Sequence, residues 1–219
     1  MKNTYLNLTK QSFEFPQNGF ELKNGFITFH KVSLEKLIKK YGTPFRLFYL
    51  PNIAEKIKLA RNLFNQAFKK HEYLGKYQYC YCTKSNHFSH IINATLKENV
   101  NLETSSSFDI DLILNLYKKD KIDKDLIIIC NGYKTVEYLE KIIALYKMGF
   151  KNVIVILDNK PELERLNRLS KKINKKIKIG IRVAINEEAQ SSYYTSRMGI
   201  RNTEIVDFYN EQIKSNTAV

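Results

Sequence analysis

Leu126-Ile127-Ile128-Ile129-Cys130 and Val153-Ile154-Val155-Ile156-Leu157 are apolar at every position, and the reading of these two runs decides the fold. A strand with one face in water alternates polar and apolar residues, whereas a parallel strand sandwiched between layers is apolar throughout. The two runs therefore predict parallel strands buried on both faces. Outward from them, 77–82, 100–103 and 177–183 are further β-branched or aromatic runs, and the stretches between predict helices near 88–98, 108–119, 135–148, 161–174 and 203–214. Short strands alternating with helices of about 10 to 15 residues mark successive strand–helix units of an α/β fold.

Toward the N-terminus the pattern changes. Asn24-Gly25 between Phe20-Glu21-Leu22-Lys23 and Phe26-Ile27-Thr28-Phe29 predicts a two-residue β-hairpin. Ser33 opens a helix through Lys40, with Leu34, Leu37 and Ile38 as its apolar stripe and Gly42 and Pro44 beyond its end. A short strand at 45–49 follows, and Asn52 caps a longer helix to about Lys70. The strand–helix units suit either a complete five-stranded doubly wound sheet or the first five-eighths of a (βα)₈ barrel, which needs about 250 residues.

Composition narrows the function classes. With 219 residues, 43% of them hydrophobic, the chain can build a sizeable core. Cys80, Cys82 and Cys130 are an odd set inside apolar runs, read as buried thiols of a reducing compartment rather than a disulfide framework. No run approaches the roughly 18 apolar residues of a membrane helix, and Met1 to Lys10 lacks the apolar centre of a signal peptide. The expectation is a cytoplasmic protein. Lys and Arg outnumber Asp and Glu 36 to 22, giving a net charge of +14. The lysines gather where helices end, at 118–124 and 171–178, which are solvated positions, and no nucleic-acid-binding motif accompanies them. Specific nucleic-acid binding is therefore not expected.

In both architectures chemistry belongs at the C-terminal ends of the parallel strands. Those ends offer Lys84; Glu103 with Ser105 and Ser106; Asn131 with Lys134; Asp158; and Arg182. If the first strand stays extended to residue 84, Cys80, Cys82 and Lys84 share one face, and a lysine in such an apolar setting would offer a neutral amine for Schiff-base chemistry. A solvated loop start is the plain alternative for a single Lys after a strand. No glycine-rich phosphate motif is present. His87 and His90, three apart and without partner ligands, suit a helix start better than a metal site, and no metal-binding residue is assigned.

Tyr41-Gly42-Thr43-Pro44-Phe45 with Phe48-Tyr49, then Cys82-Thr83-Lys84-Ser85-Asn86, resemble the "YGTP" and "K-x-N" segments of the fold-type III, alanine-racemase-like pyridoxal-phosphate enzymes. Leu102-Glu103-Thr104-Ser105-Ser106, Ile129-Cys130-Asn131-Gly132-Tyr133-Lys134, Ile179-Gly180-Ile181-Arg182 and Ser196-Arg197-Met198-Gly199-Ile200 are similar, in order, to the "LEAGS", "ICNGYK", "IGIR" and "SKFGL" segments of the biosynthetic arginine decarboxylase branch. The resemblance implies a partial (βα)₈ TIM barrel of about five units over 51–219, preceded by an N-terminal β segment and helix at 1–50. It implies pyridoxal 5'-phosphate as cofactor, with magnesium as a further possibility of that branch, and decarboxylation of arginine to agmatine in polyamine synthesis. Diaminopimelate or ornithine decarboxylation, alanine racemisation, and non-catalytic pyridoxal-phosphate binding stay open beside it, as does a basic binding module on a five-stranded sheet.

By the same resemblance Lys84 matches the lysine that links covalently to the cofactor, and Arg182 an arginine near the cofactor's phenolic oxygen. Glu103 and Ser105 match positions near its ring, and Asn131 lies on the third-strand motif. Thr83, Ser85 and Ser106-Ser107-Phe108 depart from the branch, the last replacing its "S-K-x-E". Nothing after Arg201 matches the family's sixth-strand histidine, glycine-rich phosphate loop, pyridine-pairing acid or C-terminal β-domain, whose cysteine acts across a dimer interface. The chain is thus expected to be the N-terminal portion of a longer, homo-oligomeric decarboxylase with a small-molecule amino-acid substrate, its fifth strand left as an exposed edge.

Overall fold

The structure, a computed structural model, describes residues 19–184 and 198–219. The signal-peptide reading at Met1 to Lys10 and the Ser196-Arg197 part of the resemblance lie outside the described residues. The chain divides into two compact units, Met1–Asn52 and Ile53–Val219.

In the first unit, β1 (Phe20–Lys23), β2 (Phe26–Phe29) and β3 (Val32–Ser33) form an antiparallel sheet in that order. The hairpin forms at Asn24-Gly25 because both residues take positive φ, 50° and 79°, which the right-handed strand twist favours in a two-residue turn. Helix α1 (Leu34–Tyr41) starts where Ser33 Oγ accepts from Lys36 N at 3.4 Å and stops at Gly42, whose N–H donates to Ile38 O. Two expectations need correction. No strand forms at 45–49, since no neighbouring strand among the described residues takes up its backbone groups. Helix α2 (Pro51–Lys70) begins at Pro51, not after an Asn52 cap; proline suits a first helical position because it has no N–H to leave unpaired.

The second unit carries β4 (Cys80–Cys82), β5 (Asn101–Thr104), β6 (Ile127–Cys130), β7 (Asn152–Leu157) and β8 (Lys178–Ile181) in one parallel sheet. Between them run α3 (Ser89–Leu96), α4 (Ser107–Lys118), α5 (Val136–Met148) and α6 (Pro161–Ile173). Strand order follows chain order, β4-β5-β6-β7-β8. A doubly wound sheet reverses order at a switch point, whereas right-handed crossovers that always step the same way put every helix on one face. The arrangement is that of a TIM barrel over five units.

Burial records this one-sidedness. Leu102, Thr104, Ile128, Cys130, Val153, Val155 and Leu157 are buried toward the helices, where Ile113, Tyr138, Ile142 and Leu166 complete the core. The residues between them, Glu103, Ile127, Ile129, Ile154 and Ile156, are only partly covered. The apolar runs are therefore buried on one face, not two, because five strands do not close a cylinder and the inner face meets no opposite wall. Likewise Cys80 and Cys82 are half-buried, and of the three thiols only Cys130 is fully enclosed.

Among the described residues no strand pairs with the outer edge of β8, as expected, but the chain is fastened at both of its ends. Past Arg182 the chain pairs again as β9 (Val183–Ala184), parallel to β10 (Ile200–Arg201). Helix α7 (Asn202–Phe208) runs on into a π-helical turn, Tyr209–Ile213, and Ala218 O accepts from Ile177 N at 3.1 Å. No helix among the described residues is long and apolar enough to cross a membrane.

The one-faced burial has a measurable consequence. Ile128→Ala on the helix side should cost about 2–5 kcal/mol in urea unfolding, and Ile129→Ala, its neighbour on the inner face, clearly less. Equal losses would contradict the open inner face.

Candidate active site

At the end of β4 the chain does not stay extended. Thr83–Ser85 forms a 3-10 turn, because the buried Thr83 donates its Oγ1–H to Glu103 O at 2.9 Å and Tyr81 OH bonds Asn86 O at 2.8 Å. Lys84 therefore does not prolong the face shared by Cys80 and Cys82, and the expected apolar enclosure is absent: its side chain is exposed. It opens onto a cavity of about 480 Å³ lined also by His87, Ser105, Ser106, Phe108 and Asp109.

Ser105 is held in that wall by Asp109, whose Oδ2 accepts from Ser105 N (2.8 Å), Ser105 Oγ (3.2 Å) and Ser106 Oγ (3.1 Å). Asp109 was missed in the sequence reading, although a Ser-x-x-Asp spacing at a helix start is a capping signature and Asp109 stands where the "S-K-x-E" pattern has its acid. His87 was set aside as part of a helix-start pair, and only the cavity shows that it stands beside Lys84.

Glu103 ties three strand ends together. Its Oε1 accepts from Asn131 Nδ2 at 3.1 Å and from Cys82 Sγ at 3.7 Å. Asn131 in turn receives Gly132 N on its Oδ1 and donates its own N–H to Thr104 O. Gly132 cannot carry a side chain here: its φ is +76°, and a Cβ would stand 2.8 Å from Ser105 O. Burial, reinforced by the Glu103 carboxylate, raises the pKa of the Cys80 and Cys82 thiols. Complete burial pushes that of Cys130 up to about 12.

Lys134, grouped with Asn131 from the sequence, is no rim residue. Its side chain is fully buried, and its Nζ donates to Gly132 O and Ile156 O and pairs with Glu162 Oε2 at 3.5 Å. Burial lowers its pKa against the opposing pull of Glu162 and Asp158. Glu162 also accepts from the backbone N–H groups of Lys134 and Asp158, so the pair pins the ends of β6 and β7.

Arg182 stands on the same rim four strands from Lys84, at the end of β8. Its Nη1 lies 3.4 Å from Asp158 Oδ1 and 3.2 Å from Met198 Sδ. The five expected residues thus fall into a Lys84–Ser105 pair on one cavity, a Glu103–Asn131 pair beside it, and Arg182 apart from both. Among the described residues no group of three or more His, Cys, Asp or Glu could hold a metal ion.

Comparison with known proteins adds independent findings. Residues 55–217 match the family described as pyridoxal-dependent decarboxylase, pyridoxal binding domain. The biosynthetic arginine decarboxylase of Citrifermentans bemidjiense is 27% identical over 186 residues, which are 80% of this chain and 28% of that protein. Biosynthetic arginine decarboxylase 2 of Synechocystis is 28% identical over 173 residues, 74% of this chain and 26% of that one. The chain therefore spans little more than a quarter of these relatives. Among solved structures, the diaminopimelate decarboxylase of M. jannaschii, in complex with L-lysine, superimposes with a TM-score of 0.69 at 19% identity, over 92% of this chain and 46% of that one. The arginine decarboxylase of Paramecium bursaria Chlorella virus, bound to agmatine, gives 0.53 at 18% identity, over 83% and 44%.

Two outcomes follow for the rim. Lys134→Met, which strands Glu162 as a buried unpaired charge, should cost about 3–5 kcal/mol in urea unfolding, and adding Glu162→Gln should recover part of it. Glu103→Gln removes a negative charge beside the two half-buried thiols, so iodoacetamide should alkylate Cys82 faster than in the parent chain at pH 7.5 while Cys130 stays protected; an unchanged Cys82 rate would refute the coupling.

Proposed function

The chain belongs to the pyridoxal-dependent decarboxylases, matched at their pyridoxal-binding domain, and on that premise we propose that it holds pyridoxal 5'-phosphate through Lys84 as part of an arginine decarboxylase of polyamine synthesis. The observation that carries this is the position of Lys84 within the matched stretch: an exposed amine on the 480 Å³ cavity at the C-terminal rim of the parallel sheet. A primary amine open to that cavity is the group an aldehyde requires, so the residues present fit the cofactor's reactive end. When bound, pyridoxal phosphate supplies the electron sink for the pair left behind as CO₂ departs.

The chain's own residues then have separate tasks. Lys84 would hold the cofactor through its aldehyde end. Arg182 offers a guanidinium for an anionic oxygen. Glu103, oriented by Asn131, presents a fixed acceptor toward the inner face, and Ser105, oriented by Asp109, places a hydroxyl in the wall beside Lys84. Arginine as substrate is supported by the names of the relatives, and the chain would be the N-terminal part of a longer, homo-oligomeric, cytoplasmic enzyme divided at 1–50 and 51–219.

The test is covalent trapping. Pyridoxal phosphate added to the chain should give an absorbance band near roughly 420 nm, and borohydride should fix the adduct on the peptide containing Lys84. Lys84→Ala should abolish both; an adduct retained on another lysine would sink the assignment. Release of CO₂ from arginine, compared with diaminopimelate and ornithine, by the longer enzyme of which this chain would be the N-terminal part then tests the substrate; trapping without release by that longer protein identifies a binding protein.

A further inference from the structure

We infer that Asp158 is the positioning residue that holds Arg182 in place on the rim. The carboxylate is almost completely enclosed, with 3% of its side chain exposed against 42% for Arg182, so the pair is a buried anion facing a half-exposed cation at 3.4 Å. Such an anion is kept in the protein only where something compensates its lost hydration. Asp158 Oδ2 has no hydrogen-bond partner, which leaves the contact of Oδ1 with the guanidinium as the carboxylate's hydrogen bond among the described residues. The nearby cation, Lys134, spends its ammonium on Gly132 O, Ile156 O and Glu162.

Both backbones are fastened before the side chains meet. Asp158 N donates to Glu162 Oε2 at 2.9 Å, and Asp158 O accepts from Gly199 N at 2.9 Å. Arg182 N donates to Leu157 O at 3.0 Å, and Arg182 O accepts from Ile200 N at 2.8 Å. Gly199 makes this possible, since a Cβ there would stand 2.9 Å from Arg182 O. Two adjacent strand ends, β7 and β8, therefore present the carboxylate and the guanidinium at a set separation. The second oxygen of Asp158 is an unmet acceptor, and a second N–H of the guanidinium fork is the group that would satisfy it.

The arm of the test that uses cofactor rests on the function proposed above; the arm without it does not. In the cofactor-free full chain, phenylglyoxal modification of Arg182 is followed by peptide mass mapping, with the exposed Arg168 as reference. Asp158→Asn should raise the Arg182 rate about fivefold, the order expected for losing a partly exposed ion pair, and Asp158→Glu should restore slow labelling. An Arg182 rate unchanged in Asp158→Asn overturns the inference. Should that variant fail to fold, hindered rotation of the Arg182 guanidinium in the ¹⁵N spectrum of the parent chain decides: slow rotation supports the pairing, and averaging like that of Arg168 refutes it. Pyridoxal phosphate is then titrated, where Asp158→Asn should weaken binding about fivefold and have no further effect in Arg182→Gln. Additive losses in the two backgrounds would reduce Asp158 to a structural role. If the parent chain binds no pyridoxal phosphate, the proposed function falls while labelling and rotation still decide the role of Asp158.

Discussion

Parallel pairing of β4 to β8 in chain order is the constraint on which every other feature rests. Each step moves one strand along the sheet and returns through a helix on the same side, so all five C-terminal strand ends lie on one rim. Residues as distant in sequence as Cys82, Glu103 and Asn131 thereby come within hydrogen-bonding reach. The driving force is on the other face, where aliphatic side chains of β5, β6 and β7 pack against α4, α5 and α6. Thr104 on β5 contributes the exception, a buried hydroxyl answered by Tyr138 OH at 2.8 Å.

Charge at the rim is sorted by depth. Lys134, Glu162 and Asp158 are buried and bind the loops that follow β6 and β7, whereas Lys84 and Arg182 remain accessible. A buried charge that has lost its water is held by fixed partners, which suits it to framing a site and ill suits it to meeting a ligand. The exposed lysine and the half-exposed arginine keep the freedom to do so. Lys84 and Lys134, both in loops that follow strands, thus differ in exposure: the first is open to solvent and the second is fully enclosed.

Much of this was legible from residue order. Asn24-Gly25 dictated a hairpin through its backbone preferences, Ser33 and Gly42 bracketed α1, and the aliphatic runs marked β6 and β7. These are local effects, settled by neighbours within a few residues. Segment 45–49 misled because its residues favour strand while a strand also needs a partner. Asn52 misled because Pro51 serves equally well as a helix start. The 3-10 turn at Thr83–Ser85 could not be read, since its cause is a bond from Thr83 to the next strand.

What the sequence by itself determined, then, is the succession of strands and helices and the identity of the polar residues that follow each strand, because both depend on short-range periodicity and propensity. Tertiary structure alone decided which of those residues face a cavity and which are consumed by the frame. Lys84 and Lys134 are both lysines in a loop that follows a strand, and local propensity does not reveal their burial; Lys134 meets Glu162 across the loop from β7 and Lys84 meets solvent. The same holds for the two faces of β6 and β7, whose residues at 127–130 and 153–157 are equally apolar but whose burial depends on helices packing on one side only.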